Sequence, residues 1–135
     1  MASRPTPKPR APERRTRQRD AIRDAITHAP GPVAPREILA LASARADGLG
    51  LATVYRTLRI LVESGDIAVV EIPGEPPRYE APKGHHHHFL CKGCGRVFEL
   101  EGCCGHFAEL TPKGFLLQGH ELTLMGRCRA CLKKA

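Results

Sequence analysis

Four cysteines in two Cys-x-x-Cys pairs, Cys91-Lys92-Gly93-Cys94 and Cys128-Arg129-Ala130-Cys131, restrict this chain more than any other feature. Each pair is a knuckle that can offer two thiolates to one ion, and two knuckles close a tetrahedral all-sulfur shell. A closed shell of that type holds structural zinc, one per chain, and leaves no open coordination position. The knuckles stand farther apart than in a compact ribbon, so they are expected to tie together the two ends of a module. A thioredoxin-like redox pair would need a different surrounding pattern, and an iron–sulfur cluster a different cysteine spacing.

The rest of the composition makes such a staple necessary. The chain has 135 residues, no tryptophan and only 4% aromatics. It could form one domain or two small ones, and two small ones would need metal or a partner subunit to be stable. No apolar run approaches the roughly 18 residues of a membrane span, and the N-terminus has no apolar signal core. The expectation is a cytoplasmic protein with no membrane association. Six cysteines in a reducing compartment point to metal rather than to disulfides.

Net charge is +7 and is concentrated at the start. Residues 1–19 hold Arg4, Lys8, Arg10, Arg14, Arg15, Arg17 and Arg19 against Glu13 alone. Residues 1–14 read as a flexible basic arm for a polyanion. From Arg15 the pattern is helical, with Ala21, Ile22, Ala25 and Ile26 on one face and Pro30-Gly31-Pro32 as the stop. Pro35 opens a second helix whose apolar face is Ile38, Leu41 and Ala42. The third helix, within "GLATVYRTLRILVESGD", aligns Val54, Leu58, Leu61 and Val62 in one stripe. Arg56 and Arg59 fall on its opposite face, flanked by Thr53 and Tyr55. "IAVVEIPGEPPRYEA" then predicts a hairpin around a Gly/Pro turn. Three helices and a hairpin over residues 15–81 predict a winged-helix domain whose third helix enters the major groove of DNA.

Pro82-Lys83-Gly84 is the expected hinge to a second module over residues 85–135. The pattern there predicts a small α/β unit, with strands near 85–91, 97–100 and 121–124 and one helix near 107–110. Its first strand carries "HHHH", His85 to His88. A purification tag is the bland reading, but this tract sits within the chain and runs directly into the apolar Phe89 and Leu90. Strand side chains alternate between faces. His85 and His87 therefore serve one site and His86 and His88 a second, back to back on one strand. The missing ligands have several candidates: Glu80, Glu99, His120, Cys103, Cys104, His106 and Glu109.

These residues together resemble the ferric uptake regulator family of bacterial metal-dependent repressors. "TRQR" (16–19), "GLATVYRTL" (50–58), "HHHHFLCKGCGRVFE" (85–99) and "GHELTLMGRCRAC" (119–131) carry the resemblance in the family's order and spacing. It implies an α+β fold: an N-terminal winged helix followed by a small α/β dimerisation domain with structural zinc. It implies a homodimer on a pseudo-palindromic double-stranded DNA operator, with Tyr55 and Arg56 touching DNA and Arg19 near the backbone. It implies a regulatory metal at the hinge, held by Glu80, His86, His88 and Glu99, with Asp66 a further candidate. It also implies a second site using His85, His87 and His120. The family's acidic ligand there aligns with Cys103 from one side and His106 from the other, and Cys103 is taken as the fourth ligand. A histidine that iron-sensing members carry near the second helix is replaced by Pro32. Its loss and the added thiolate favour zinc sensing over iron or peroxide sensing.

Two other classes use the same residues. A zinc hydrolase would need an open site and a general base, and no HExxH-type arrangement is present. A metal buffer or chaperone would bind metal without any response in DNA affinity. The expected protein is not an enzyme.

Overall fold

The computed structural model describes residues 10–134. Most of the expected basic arm, residues 1–9, lies outside the described residues. The first helix, α1 (Ala11–Thr27), begins four residues before the expected Arg15. Pro12 suits the first turn, where no amide partner is needed, and the Glu13 carboxylate accepts the Arg10 backbone N–H at 3.2 Å. Helices α2 (Pro35–Ser43) and α3 (Leu51–Glu63) follow, then an antiparallel hairpin of β1 (Ala68–Val70) and β2 (Arg78–Glu80). Val33 bridges to Tyr79, so the loop before α2 adds a third rung to the wing.

The three helices close on Ile22, Ile26, Ile38, Val54, Leu58 and Leu61, all essentially inaccessible to solvent. These are the predicted helix faces with one correction. Leu41 is half-exposed, and Leu39 packs on the core in its place. Only nine residues long, α2 meets α1 and α3 with the Ile38–Ala42 edge, which turns Leu41 toward the cleft below.

Residues 81–86 carry no helix or strand. Beyond them β3 (His87–Cys91) is the central strand of a second sheet, antiparallel to β4 (Val97–Leu100) and parallel to β5 (Thr123–Gly126). A single 3₁₀ turn (Phe107–Leu110) and a short α4 (Arg129–Lys133) complete the described chain. The strand predicted from His85 thus starts two residues later. The short α4 was not expected; it forms because Cys128 and Cys131 must turn back on one another. Buried apolar side chains are few here. Leu90 and Val97 join Val70 and Ile72 from the winged helix in one small cluster, so this module's core is shared with its neighbour.

Two further contacts bind the halves together. The buried Arg78 donates from Nη2 to the Gly95 carbonyl at 2.6 Å and pairs through Nη1 with Glu37 at 3.5 Å. Gly31 lies against the Val97 carbonyl so closely that a Cβ would drive into it. Gly31→Ala should therefore push the domains apart and cost about 1–3 kcal/mol, as overpacking does. That loss corresponds to a Tm drop of roughly 3–10 °C. Arg78→Met should cost about 1 kcal/mol by removing the bond to the partly buried Gly95 carbonyl. Thermal unfolding followed by circular dichroism checks both, and melting curves like the parent's would show that neither contact matters.

Candidate functional site

Three groups of potential ligand atoms each converge within 4.8 Å: Cys91, Cys94, Cys128 and Cys131; Glu80, His86 and His88; and His85, His87, Cys103 and His120. The first forms where β3 ends and the knuckle turns at Gly93, whose missing Cβ leaves room for the Cys131 sulfur. Cys91 Sγ lies 3.7 Å from Cys131 Sγ, and Cys94 Sγ 3.9 Å from Cys128 Sγ. Backbone N–H groups of Cys128 and Cys94 point at the Cys91 sulfur, at 3.2 and 3.5 Å, and pull its pKa down to about 6. Hydrogen bonding to Cys128 and Cys91 pushes Cys131 up to about 12. Cys91 is thus the sulfur that the surrounding amides favour as a thiolate, whereas Cys131 is held as a thiol while no cation is bound. That donor set fits a thiophilic divalent ion with no vacant position.

The second group spans the two domains. Glu80 closes β2 of the wing, whereas His86 and His88 belong to the tract that becomes β3. Glu80 Oε1 meets His86 Nε2 at 2.6 Å, and Oε2 meets His88 Nε2 at 3.1 Å. The Gly84 carbonyl bonds His86 Nδ1 at 2.7 Å, which directs Nε2 to the site. Burial alone would raise the Glu80 pKa, but His88 and His86 outweigh it and hold the carboxyl below its ordinary range. Burial likewise opposes charge on His86, yet the Gly84 carbonyl and Glu80 raise its pKa overall. In the metal-free protein this pairing therefore holds while His86 is protonated. It is lost as pH rises through the raised pKa, and above that point a bound cation must replace the proton.

The third group lies on the other face of the same tract. His85 Nε2 and Cys103 Sγ each sit 3.1 Å from His120 Nε2. The His87 ring is centred 4.6 Å from that of His85 and 5.1 Å from that of His120. Phe107 from the 3₁₀ turn stacks on His120 at 4.2 Å. His87 is only 3% exposed, and neither ring nitrogen has a hydrogen-bond partner among the described residues. Burial, then the neighbouring imidazoles of His85 and His120, lower its pKa, so it stays neutral with a free lone pair. A buried imidazole with two orphaned nitrogens costs folding free energy unless an ion engages it. The three imidazoles and one thiol fit a four-coordinate metal.

The alternation of the histidines holds although His85 and His86 precede the strand proper. Cys104, His106 and Glu109 stay outside the three groups. Asp66 is exposed and bonds Ser64 at 2.8 Å instead. Glu99 also requires a correction. It stands directly across the ladder from His88, but its carboxylate pairs with Lys83 and does not join Glu80, His86 and His88. Neither Lys83 nor Arg78 stood out in the sequence, because each finds its partner only when two distant segments meet.

On the winged helix, α3 turns Tyr55, Arg56 and Arg59 to solvent, with Tyr55 52% exposed. Arg56 donates to Thr53 Oγ1 at 3.1 Å, which organises one polar ridge along that face. Arg19 is exposed on α1.

A family model described as the ferric uptake regulator family matches residues 11–125. The ferric uptake regulation protein of Campylobacter jejuni is 34% identical over 122 residues, covering 86% of this chain and 78% of that protein. Among solved structures, a zinc-bound manganese uptake regulator superposes with a TM-score of 0.70 at 27% identity, covering 87% and 95% of the two chains. FurB from Mycobacterium tuberculosis, a zinc uptake regulator, is 29% identical with a TM-score of 0.50, covering 90% and 97%.

The orphaned His87 leads to a test that separates folding from binding. His87→Leu should raise the Tm of the metal-free protein, because it removes two unpaired buried nitrogens. The same substitution should shrink the rise in Tm that zinc produces, since a ligand is gone. A lower metal-free Tm in the variant would mean that His87 is satisfied without metal.

Proposed function

The chain belongs to the ferric uptake regulator family, and we propose that within it this protein is a zinc-responsive transcriptional repressor acting as a homodimer. It is a DNA-binding, metal-responsive transcriptional regulator, and its fold is the α+β pairing of a winged helix with a small dimerisation module. The observation that carries the zinc reading is the pair of back-to-back clusters on one histidine tract. One adds a cysteine thiol to three imidazoles, and the other offers only three donors. Both sets suit a small four-coordinate ion better than the six-coordinate ions that prefer oxygen. Pro32, at the position where iron-sensing members carry a histidine, cannot ligate. The identity with FurB, a zinc uptake regulator, supports the same reading.

In this reading the four cysteines hold structural zinc and the Glu80–His86–His88 cluster is the sensor. A metal at the hinge would supply a divalent charge there. The protein's part is to place one ligand on the wing and two on the dimerisation module. Binding then favours the domain orientation in which the two recognition helices of a dimer reach successive major grooves. The dimer itself is supported by side chains with no cover in one chain: Phe115, Leu116 and Leu110, and Leu124 and Met125 on the edge strand β5. Tyr55 and Arg56 would read bases, while Arg59, Arg19 and the segment before α1 would hold phosphates. A zinc hydrolase has less support, since the four-cysteine set fits a closed shell and no HExxH-type arrangement is present.

A gel-shift titration of an operator fragment against zinc, ferrous iron and manganese tests the proposal. Zinc should induce binding at the lowest free concentration, and His86→Ala should abolish that response with the four-cysteine zinc still bound. Iron acting at lower free concentration would move the protein to the iron-sensing branch, and metal-independent binding would leave a constitutive DNA-binding protein. Tyr55→Ala should weaken operator binding by about 1–3 kcal/mol more than binding to random DNA, the range for one base contact. Equal losses would assign Tyr55 to the backbone. Binding should also weaken steeply with salt, at about 0.9 counterions per phosphate contact.

A further inference from the structure

The buried side chains of α3, Val54, Thr57, Leu58 and Leu61, fix which way that helix faces. At about 100° per residue, the direction opposite them runs through Ala52, Arg56, Arg59 and Glu63, all exposed. Tyr55 and Ile60 flank that line symmetrically, each about 70° to one side. Tyr55 is 52% exposed and Ile60 45%. A face that brings its tyrosine to DNA therefore brings Ile60 to the same depth on the other flank. Arg56 donates to Thr53 Oγ1, one turn toward the N-terminus, which draws its guanidinium away from Ile60. Glu63, nearly one turn beyond Ile60, bears the wrong charge for phosphate and marks the end of the contact face. Thr53, Arg56 and Ile60 stand at i, i+3 and i+7, a spacing with which a long recognition helix reads the major groove.

We propose that Ile60 is a base-reading residue that recognises the C5-methyl group of a thymine in the major groove. This rests on the reading of α3 as the recognition helix with Arg56 among its base contacts. An isoleucine can neither pair with phosphate nor hydrogen-bond a base edge, so burying it against either is unfavourable. The apolar group that the major groove offers to an aliphatic side chain is the thymine methyl. Ile60 lies four residues from Arg56, about 6 Å along the helix axis. That distance spans one or two base-pair steps of roughly 3.4 Å each. Arginine selects guanine. Arg56 and Ile60 together therefore specify a guanine with a thymine one or two steps away.

Full-length protein, saturated with the metal that induces DNA binding, selects duplexes from a randomised pool. The selected sequence is then resynthesised with deoxyuridine at each thymine in turn, which deletes the methyl group and keeps every hydrogen bond. The parent should lose about fourfold in affinity at a thymine within two steps of the guanine read by Arg56, the value of one buried methyl-sized group. Changing both half-sites should cost about fifteenfold. Ile60→Ala should bind the thymine duplex at least as weakly as the parent binds the deoxyuridine one, and should lose nothing more on that replacement. Ile60→Val should fall between the two. Parent-like affinity in Ile60→Ala would overturn the inference. So would a loss that deoxyuridine deepens equally in parent and variant at every thymine, because Ile60 would then touch the sugar. Ile60 is exposed, so both variants should melt like the parent, and a Tm lower by several degrees would assign the side chain to packing instead. A parent that selects no common sequence, or an Arg56→Ala variant that keeps the parent's selectivity, would overturn the reading of α3 itself. The deoxyuridine outcomes bear on Ile60 alone.

Discussion

Four cysteine sulfurs, from the two ends of the C-terminal half of this protein, converge on one point. Few of its apolar side chains are buried: Leu90, Cys91 and Val97 are the ones below a tenth exposed. Such a core cannot offset the conformational entropy of ordering the module's long loops. The knuckles join the end of β3 to the turn after β5, and with the proposed zinc bound they would supply what hydrophobic burial does not. Everything functional is then referenced to that strand. His87 and His88 lie within it, His85 and His86 lead into it, and His120 and Cys103 arrive on loops that the sheet gathers. Metal binding to deprotonated thiols is therefore folding free energy as well as chemistry.

The coupling between the halves is unusually direct for a two-module chain. Arg78 on the wing donates to the carbonyl of Gly95, just after the first knuckle, and Glu80 two residues on meets His86 and His88. A short strand thus presents one residue to the loop after the first knuckle and another to His86 and His88. The apolar cluster of Val70, Ile72, Leu90 and Val97 fills the space between them. A change in the ligation of Glu80 acts on a strand anchored at its other end. This gives a small displacement at the hinge a lever on the whole winged helix.

Polar groups at the two histidine clusters are prepared in opposite senses. The Glu80 side is charged and hydrogen-bonded without metal, since carboxylate and imidazoles satisfy one another. On the other face the two ring nitrogens of the buried His87 have no partner among the described residues. A site of the first type exchanges a proton for a cation and responds to concentration. A site of the second type is destabilised when empty, so filling it stabilises the fold. This asymmetry is what the proposed division into a sensor and a structural site on one tract would require.

Much of the architecture was legible in the residues themselves. Helical periodicity located the three core faces, the turn residues located the wing, and the knuckle spacing specified an all-sulfur site. Strand alternation separated His85 and His87 from His86 and His88, because period two is a property of the extended backbone and survives even where the ladder is incomplete. What the residues did not determine was which of several acids and thiols would meet them. Cys103 rather than Cys104, His106 or Glu109 faces His120, and Glu99 pairs with Lys83, because loop paths and long-range ion pairs depend on where distant segments come to rest. The early start of α1 and the outward turn of Leu41 have the same origin, since capping and packing against neighbours override local pattern. Local geometry is written in periodicity and spacing, whereas the choice among chemically equivalent partners belongs to tertiary structure, where distance decides.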